Sequence, residues 1–231
     1  MRDFRIAVGN SLKDKFGELG FFLKHIIDIS KTIERKHLLQ QYPINAEIEH
    51  LNYYFNAYLN TIQALKDGFQ TATREKLSWK DLSSTYGKFL FYCRNATTHD
   101  GYHLINAGKG DKCYIVGPLQ RIDNHGKLIE FDPPQRDIRT LCCDISEEVL
   151  ASLRRLLNQN NVDIPSADEA DFKKSIQTLS DSAFIPQEIK ALIKDNQHSI
   201  EKSSKGIKIN VIQEIFDAIA SVEKIVVNAR T

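Results

Sequence analysis

The chain has 231 residues, of which 42% are apolar and 26% charged, with a formal net charge of +1. That is an ordinary globular composition, long enough to bury a core as one large domain or two small ones. It argues against a membrane span, since no apolar run approaches roughly 18 residues, and a charge this close to zero supplies no global field to draw in nucleic acid. The start, Met1 to Arg5, is charged at once with no apolar block behind it, so no signal peptide is expected. The charge is only mildly tilted: 16 Lys/Arg against 12 Asp/Glu over 1–112, and 15 against 18 over 113–231.

The first helix is expected over about Ser11 to Gln40. Phe16, Leu19, Leu23, Ile26, Ile27 and Ile33 recur near a 3.6-residue period. Gly17 and Gly20 weaken its middle, and Pro43 closes the segment. A second helix is predicted from Asn45, a good cap, to about Phe69, with Gly68 marking its end. Its stripe is Ile48, Leu51, Phe55, Tyr58, Ile62 and Leu65. Ser78 to Asp81 resembles a capping box and opens a third helix over about Asp81 to Thr98, with Leu82, Tyr86, Phe89, Leu90 and Cys93 inward and Gly101 at its C-terminus.

The pattern then changes. Short, partly β-branched runs at 113–116, 119–123 and 127–131, with Asn124-His125-Gly126 as a three-residue loop, predict a small antiparallel hairpin inserted between helices. Asp144 to Glu147 suggests a capping box for a fourth helix reaching about Asn158. Ser166 to Glu169 starts a short fifth. Pro186 suits the first turn of a sixth that runs to about Lys202. Val211, Ile212, Ile215, Phe216, Ile219, Val222 and Ile225 mark a last helix. The fold class is therefore mostly α: an antiparallel helical bundle over 1–162 with a β-hairpin at about 113–131, followed by extra C-terminal helices over 163–231 that either form a subdomain or pad the bundle.

The four cysteines, Cys93, Cys113, Cys142 and Cys143, form no C-x-x-C pair and no zinc-ribbon spacing. They read as reduced thiols of a cytoplasmic protein. A Cys93, His99, His103, Cys113 zinc site matches no common spacing, so no metal and no cofactor is expected.

The segment that carries chemistry is Tyr92-Cys93-Arg94-Asn95-Ala96-Thr97-Thr98-His99. A guanidinium can clamp a phosphate and an imidazole can move a proton near neutral pH. Metal-free RNA cleavage needs a base for the 2′-hydroxyl, an acid for the leaving 5′-oxygen and positive charge for the transition state. Positions five apart differ by about 140° around a helix. Arg94 and His99 therefore converge only if the helix ends or distorts near Thr98, or if a second chain completes the site. The same two residues at a helix C-terminus also suit the macrodipole without any catalysis.

This string resembles the R-x4-6-H signature of the HEPN superfamily, in which a polar residue, often Asn, tends to follow the Arg, as Asn95 does. The signature's place near the end of an apolar third helix, after a long helix pair, fits as well, and the resemblance spans about 8–160. It implies a metal-independent endoribonuclease acting on RNA as a homodimer, a toxin or phage-defence effector with an antitoxin or regulatory protein as partner. Arg94 and His99 would be catalytic and Asn95 auxiliary. The resemblance equally allows a non-catalytic nucleotide- or RNA-binding or dimerisation module. Glu47 and Glu49 are candidates for orienting the pair, beside the plainer reading as solvated helix residues. His103, Lys109 and Lys112 follow the motif and could touch RNA, although loop residues of these types are commonly just solvated. Tyr53, Tyr54, Phe55 and Tyr58 could stack bases or simply pack, His25 and His37 read as surface or satisfied core, and Trp79 could staple a helix start.

Overall fold

In a computed structural model the described residues are 2–99, 101, 103–122, 126–159, 164–165, 168–206 and 210–230, with the side chains at 2, 3, 99, 201 and 204 outside that description. The fold is mostly α. The helix α1 (Arg2–Leu38) runs unbroken through Gly17 and Gly20, and starts well before the expected Ser11. Gly9 and Gly20 sit where other segments come close, whereas Gly17 has open space beside it. A Cβ at Gly9 would lie 2.8 Å from Ile164 Cγ2, and one at Gly20 would lie 3.1 Å from Ile225 Cδ1. Of the two expected weak points, Gly20 is thus a packing contact with Ile225 and Gly17 is not.

The helix α2 (Asn45–Thr73) returns antiparallel along α1. Phe16 meets Phe69 edge-on at 6.0 Å at one end, and Lys36 pairs with Glu47 at the other. It passes through Gly68 rather than stopping there. A Cβ at Gly68 would approach Leu12 Cδ2 to 2.8 Å, and the stop comes instead at Arg74, with φ +65°. Phe16, Leu19, Leu23 and Ile26 interleave with Leu51, Phe55, Tyr58 and Ile62 in the buried core.

The single third helix expected over 81–98 is two. The helix α3 (Trp79–Leu82) has the predicted capping box, with Asp81 N–H donating to Ser78 Oγ at 3.2 Å and Ser78 N–H to Asp81 Oδ2 at 2.8 Å. The chain then breaks at Ser83, which is extended and buried. Its hydroxyl donates to Glu148 Oε2 at 2.6 Å and accepts from Tyr86 N–H at 2.9 Å. The helix α4 (Gly87–His99) follows, starting so close to α3 that a Cβ at Gly87 would sit 2.3 Å from the Trp79 carbonyl oxygen.

The inserted β region also differs, for there are two hairpins where one was expected. Strands β1 (Ala107–Lys109) and β2 (Lys112–Tyr114) pair antiparallel, with Lys109 opposite Lys112. Strands β3 (Leu119–Ile122) and β4 (Leu128–Phe131) pair with Leu119 opposite Phe131. Residues 124 and 125 of the expected hairpin loop lie outside the described residues.

The helix α5 (Ile138–Leu157) starts six residues before the expected cap at Asp144. Asp137 is the cap, accepting from Thr140 N–H at 3.1 Å, because Ile138, Leu141 and Cys142 extend the buried stripe upstream. Asp144 is mid-helix and pairs with Arg230 at 2.7 Å.

The helix α6 (Glu169–Asp181) is capped by Asp168 with Asp171; Ser166 of the expected cap lies outside the described residues. The expected sixth helix splits at Asn196 into α7 (Gln187–Asp195) and α8 (Gln197–Ser204), and Pro186 is the residue before α7 rather than in its first turn. The last helix, α9 (Val211–Arg230), packs on α1 and α5. Ile215, Ile219, Val222 and Val226 are buried, and Arg154 grips Glu223 with two hydrogen bonds of 3.2 and 2.7 Å. So α9 shares the bundle's core although it follows position 162, whereas α6, α7 and α8 chiefly contact one another. No helix of the described residues is long and apolar enough to cross a membrane.

Candidate functional site at the end of α4

The helix α4 buries Leu90, Cys93 and Ala96 and leaves Arg94, Asn95 and Thr98 on its more polar side. Arg94 is half-buried, and its Nη1 donates to Asn95 Oδ1 at 3.1 Å. The Thr97 hydroxyl donates to the Arg94 carbonyl at 3.1 Å. The helix runs through Thr98 to His99, its last described residue. Positions 94 and 99 therefore stay about 140° apart around the axis, while 95 and 99 share a face. Helical geometry up to His99 keeps the two backbone positions on different faces, which leaves completion by a second chain as the route that the proposal below uses. The His99 side chain lies outside the described residues. Gly101, with φ +64°, suits the chain's exit from a helix.

The wall beside this helix end comes from α2, and the sequence reading missed it. The Thr98 hydroxyl donates to Asn60 Oδ1 at 3.1 Å. Seven residues later, Ile105 N–H donates to Asn52 Oδ1 at 2.9 Å, and Asn52 Nδ2 returns a bond to the Ile105 carbonyl at 2.9 Å. These anchors lie eight positions apart on α2, about 12 Å along its axis. Thr98 and Ile105 thus bind the two ends of a row of asparagines at four-residue spacing: Asn52, Asn56 and Asn60. Asn56 Oδ1, at the centre, is shielded from solvent and accepts no hydrogen bond among the described residues. The four-residue spacing was a usable signal; the partner segment was not readable without the fold.

Tyr53 stands exposed on α2 beside this row. Its ring lies 6.1 Å from the exposed His103 and 6.4 Å from His50, and its hydroxyl donates to Glu49. The other aromatic candidates are occupied elsewhere: Phe55 and Tyr58 are core, and Tyr54 stacks on His25 at 4.6 Å. Tyr58 donates to the Cys142 carbonyl at 3.0 Å and bonds Ser146 Oγ at 2.8 Å, with burial pushing its phenol well up. Trp79 lies half-buried under the Lys66 ammonium, 5.8 Å from its ring centre. His37 hydrogen-bonds Tyr42.

Glu47 is turned to Lys36 of α1, whose hydrogen bond holds the carboxyl below its usual range. Glu49 serves Tyr53. Lys109 and Lys112 are exposed on the β1–β2 hairpin, whose β2 packs on α1 and α5. Lys112 shares a small crevice with Ser30, Ile33 and Glu34, on the α1 side of the molecule. The four cysteines are free and buried. Burial lifts the Cys113 and Cys143 thiols to about 11, and Cys93 and Cys142 are pushed well up by the same cause. They behave as small apolar core groups. Among the described residues no group of three or more His, Cys, Asp and Glu side chains is placed to hold a metal ion.

The arrangement can offer a cation on the last turns of α4, amide and hydroxyl donors and acceptors on two adjoining helices, and an exposed aromatic ring at the Asn52 end of the row. Such a set suits a phosphate and a planar polar group together. No family model, curated protein or solved structure matches this chain.

Proposed function

We propose that this protein is a metal-independent endoribonuclease of the HEPN type, a toxin or phage-defence effector that works as a homodimer. The observation that carries the reading is the polar end of α4: Arg94 bonds Asn95 there and Thr98 bonds Asn60 of α2, while the opposite face of α4 is core. The long α1–α2 pair preceding a helix that carries Arg-x4-His supports the same reading.

In this mechanism the ribose 2′-oxygen attacks the adjacent phosphorus and the bond from phosphorus to the 5′-oxygen breaks. The products are a 2′,3′-cyclic phosphate and a free 5′-hydroxyl. The proton leaving the 2′-hydroxyl goes to one imidazole, and the 5′-oxygen takes a proton from another. His99 from each of two copies would fill these roles. Arg94 would bind the non-bridging oxygens as charge builds on them. Because positions 94 and 99 are about 140° apart on one helix, one copy's His99 would act with the other copy's Arg94.

The test is cleavage of mixed-sequence RNA in EDTA by protein of measured solution mass. Wild type is expected to produce 2′,3′-cyclic ends. His99→Ala is expected to lower the rate at least about 100-fold with an unchanged melting temperature. A dimer that cuts no RNA, or a His99→Ala protein that cuts as fast as wild type, would sink the proposal. A non-catalytic binding module is the second reading. It draws on the Arg94 guanidinium, half-buried and bonded to Asn95 in the resting chain, and it keeps RNA or nucleotide binding without cleavage.

A further inference from the structure

The helices α6, α7 and α8 chiefly contact one another, and none of the described residues of α6 or α7 is buried. Leu179 is 45% exposed, Ile189 46%, Leu192 61% and Phe184 95%. Between them the three helices enclose an open groove of about 460 Å³. Its apolar lining is Ile176, Ile193 and Ile200, and its charged lining is Lys173, Lys190 and Lys194, with no carboxylate among the described residues that line it. Lys173 pairs with Glu169, one turn back on α6, at 2.7 Å. Lys190 and Lys194 make no ion pair among the described residues. A chain of net charge +1 thus gathers three cations around an apolar floor.

We propose that this unit docks an acidic amphipathic helix of a partner protein. The helix would seat its apolar side chains on the three isoleucines and its carboxylates against Lys173, Lys190 and Lys194. Charge complementarity selects the sign of the partner. A groove between helices suits a helical ligand with anchors at i, i+3, i+4 and i+7. A protein helix fits better than a small anion because the floor between the lysines is apolar, and Leu179, Phe184, Ile189 and Leu192, outside the groove lining, leave further apolar surface exposed on the same three-helix unit. Helices without buried residues gain a core only when something packs on them. This proposal is independent of RNA cleavage.

The experiment titrates full-length protein into fluorescent helical peptides of about 18 residues and reads anisotropy. One peptide carries leucines at the anchor spacing flanked by glutamates, a second replaces each glutamate by lysine, and a third replaces each leucine by serine. The Glu–Leu peptide is expected to bind at least about ten-fold tighter than either control and to weaken with salt. The double variant Lys190→Glu, Lys194→Glu should shift the preference to the lysine peptide. The milder Lys190→Gln, Lys194→Gln pair should erase the preference at an unchanged melting temperature.

Equal binding of the two charged peptides, no saturation by about 1 mM, or a preference that survives charge reversal overturns the proposal. So do three results obtained without peptide binding. Saturation by decanoate or inorganic phosphate marks a small-anion pocket. Capture by phosphatidylglycerol vesicles marks a membrane surface. Self-association lost in the reversed variant marks a second copy as the occupant.

Discussion

The α1–α2–α4–α5–α9 bundle and the α6–α8 unit are written in the same amphipathic pattern, yet they end in opposite states. In α9, Ile215, Ile219, Val222 and Val226 are sealed against α1 and α5. In α6 and α7, apolar residues at comparable helical spacing remain open to water, none of them buried. Periodicity therefore tells which side of a helix is apolar, and says nothing about whether the rest of the molecule covers it. The polar end of α4 lies between these cases: its inner face is core, and its outer face carries polar side chains, of which Thr98 is tied to Asn60 of α2.

The contrast can be broken most sharply in α9. Ile219→Asp puts a carboxylate into a fully buried site against α1 and α5 and is expected to cost about 4–5 kcal/mol or to unfold the chain. Urea denaturation reads this, and a loss under about 1 kcal/mol would mean that α9 does not belong to the core.

A smaller effect sharpens the link between α5 and the α3–α4 break. Burial alone would push the Glu148 carboxyl up, but hydrogen bonds from the Ser83 hydroxyl and the Thr85 backbone outweigh it and hold the acid below its ordinary value. A depressed folded pKa contributes stability that is present above the unfolded pKa and lost as pH falls through the folded one. Glu148→Gln should cost about 1–2 kcal/mol at neutral pH. The gap to wild type should close as pH drops below the ordinary carboxylate range. Denaturation curves across a pH series measure it, and parallel stability profiles would contradict it.

The smallest effect belongs to the α6–α8 unit. Leu192→Gln should change the stability of the isolated protein by less than about 0.5 kcal/mol, because 61% of Leu192 already faces water. A loss of 2 kcal/mol or more, roughly that of a buried leucine, would show that the unit has a hidden cover.

Much of the helical content was legible locally. The stripes of α2 and α9 and the Ser78–Asp81 box appear where the residues put them. The break at Ser83 was not legible, because the group that holds Ser83 out of the helix is Glu148, 65 residues away. The start of α5 was misplaced for a related reason. Asp144 matches a cap pattern, but Ile138, Leu141 and Cys142 are buried by distant segments and extend the helix back to Asp137. Gly20 reads as a weak point of α1 and Gly68 as the end of α2, because Ile225 and Leu12, which lie against them, come from distant parts of the chain.

The candidate site divides the same way. The string Arg94 to His99 stands in the sequence, since the chemistry of a guanidinium and an imidazole belongs to the side chains themselves. The asparagine row of α2 becomes part of that site only because Thr98 and Ile105 bind its two ends.

What the sequence determined alone is the mostly helical class, the apolar stripes of the long helices and the residue types able to do chemistry, because helical period and side-chain type are local properties. Tertiary structure decided which apolar faces are sealed, which glycines are contacts and which polar residues stand beside α4. Those outcomes depend on burial and hydrogen bonds between segments far apart in the chain, and no local pattern encodes them.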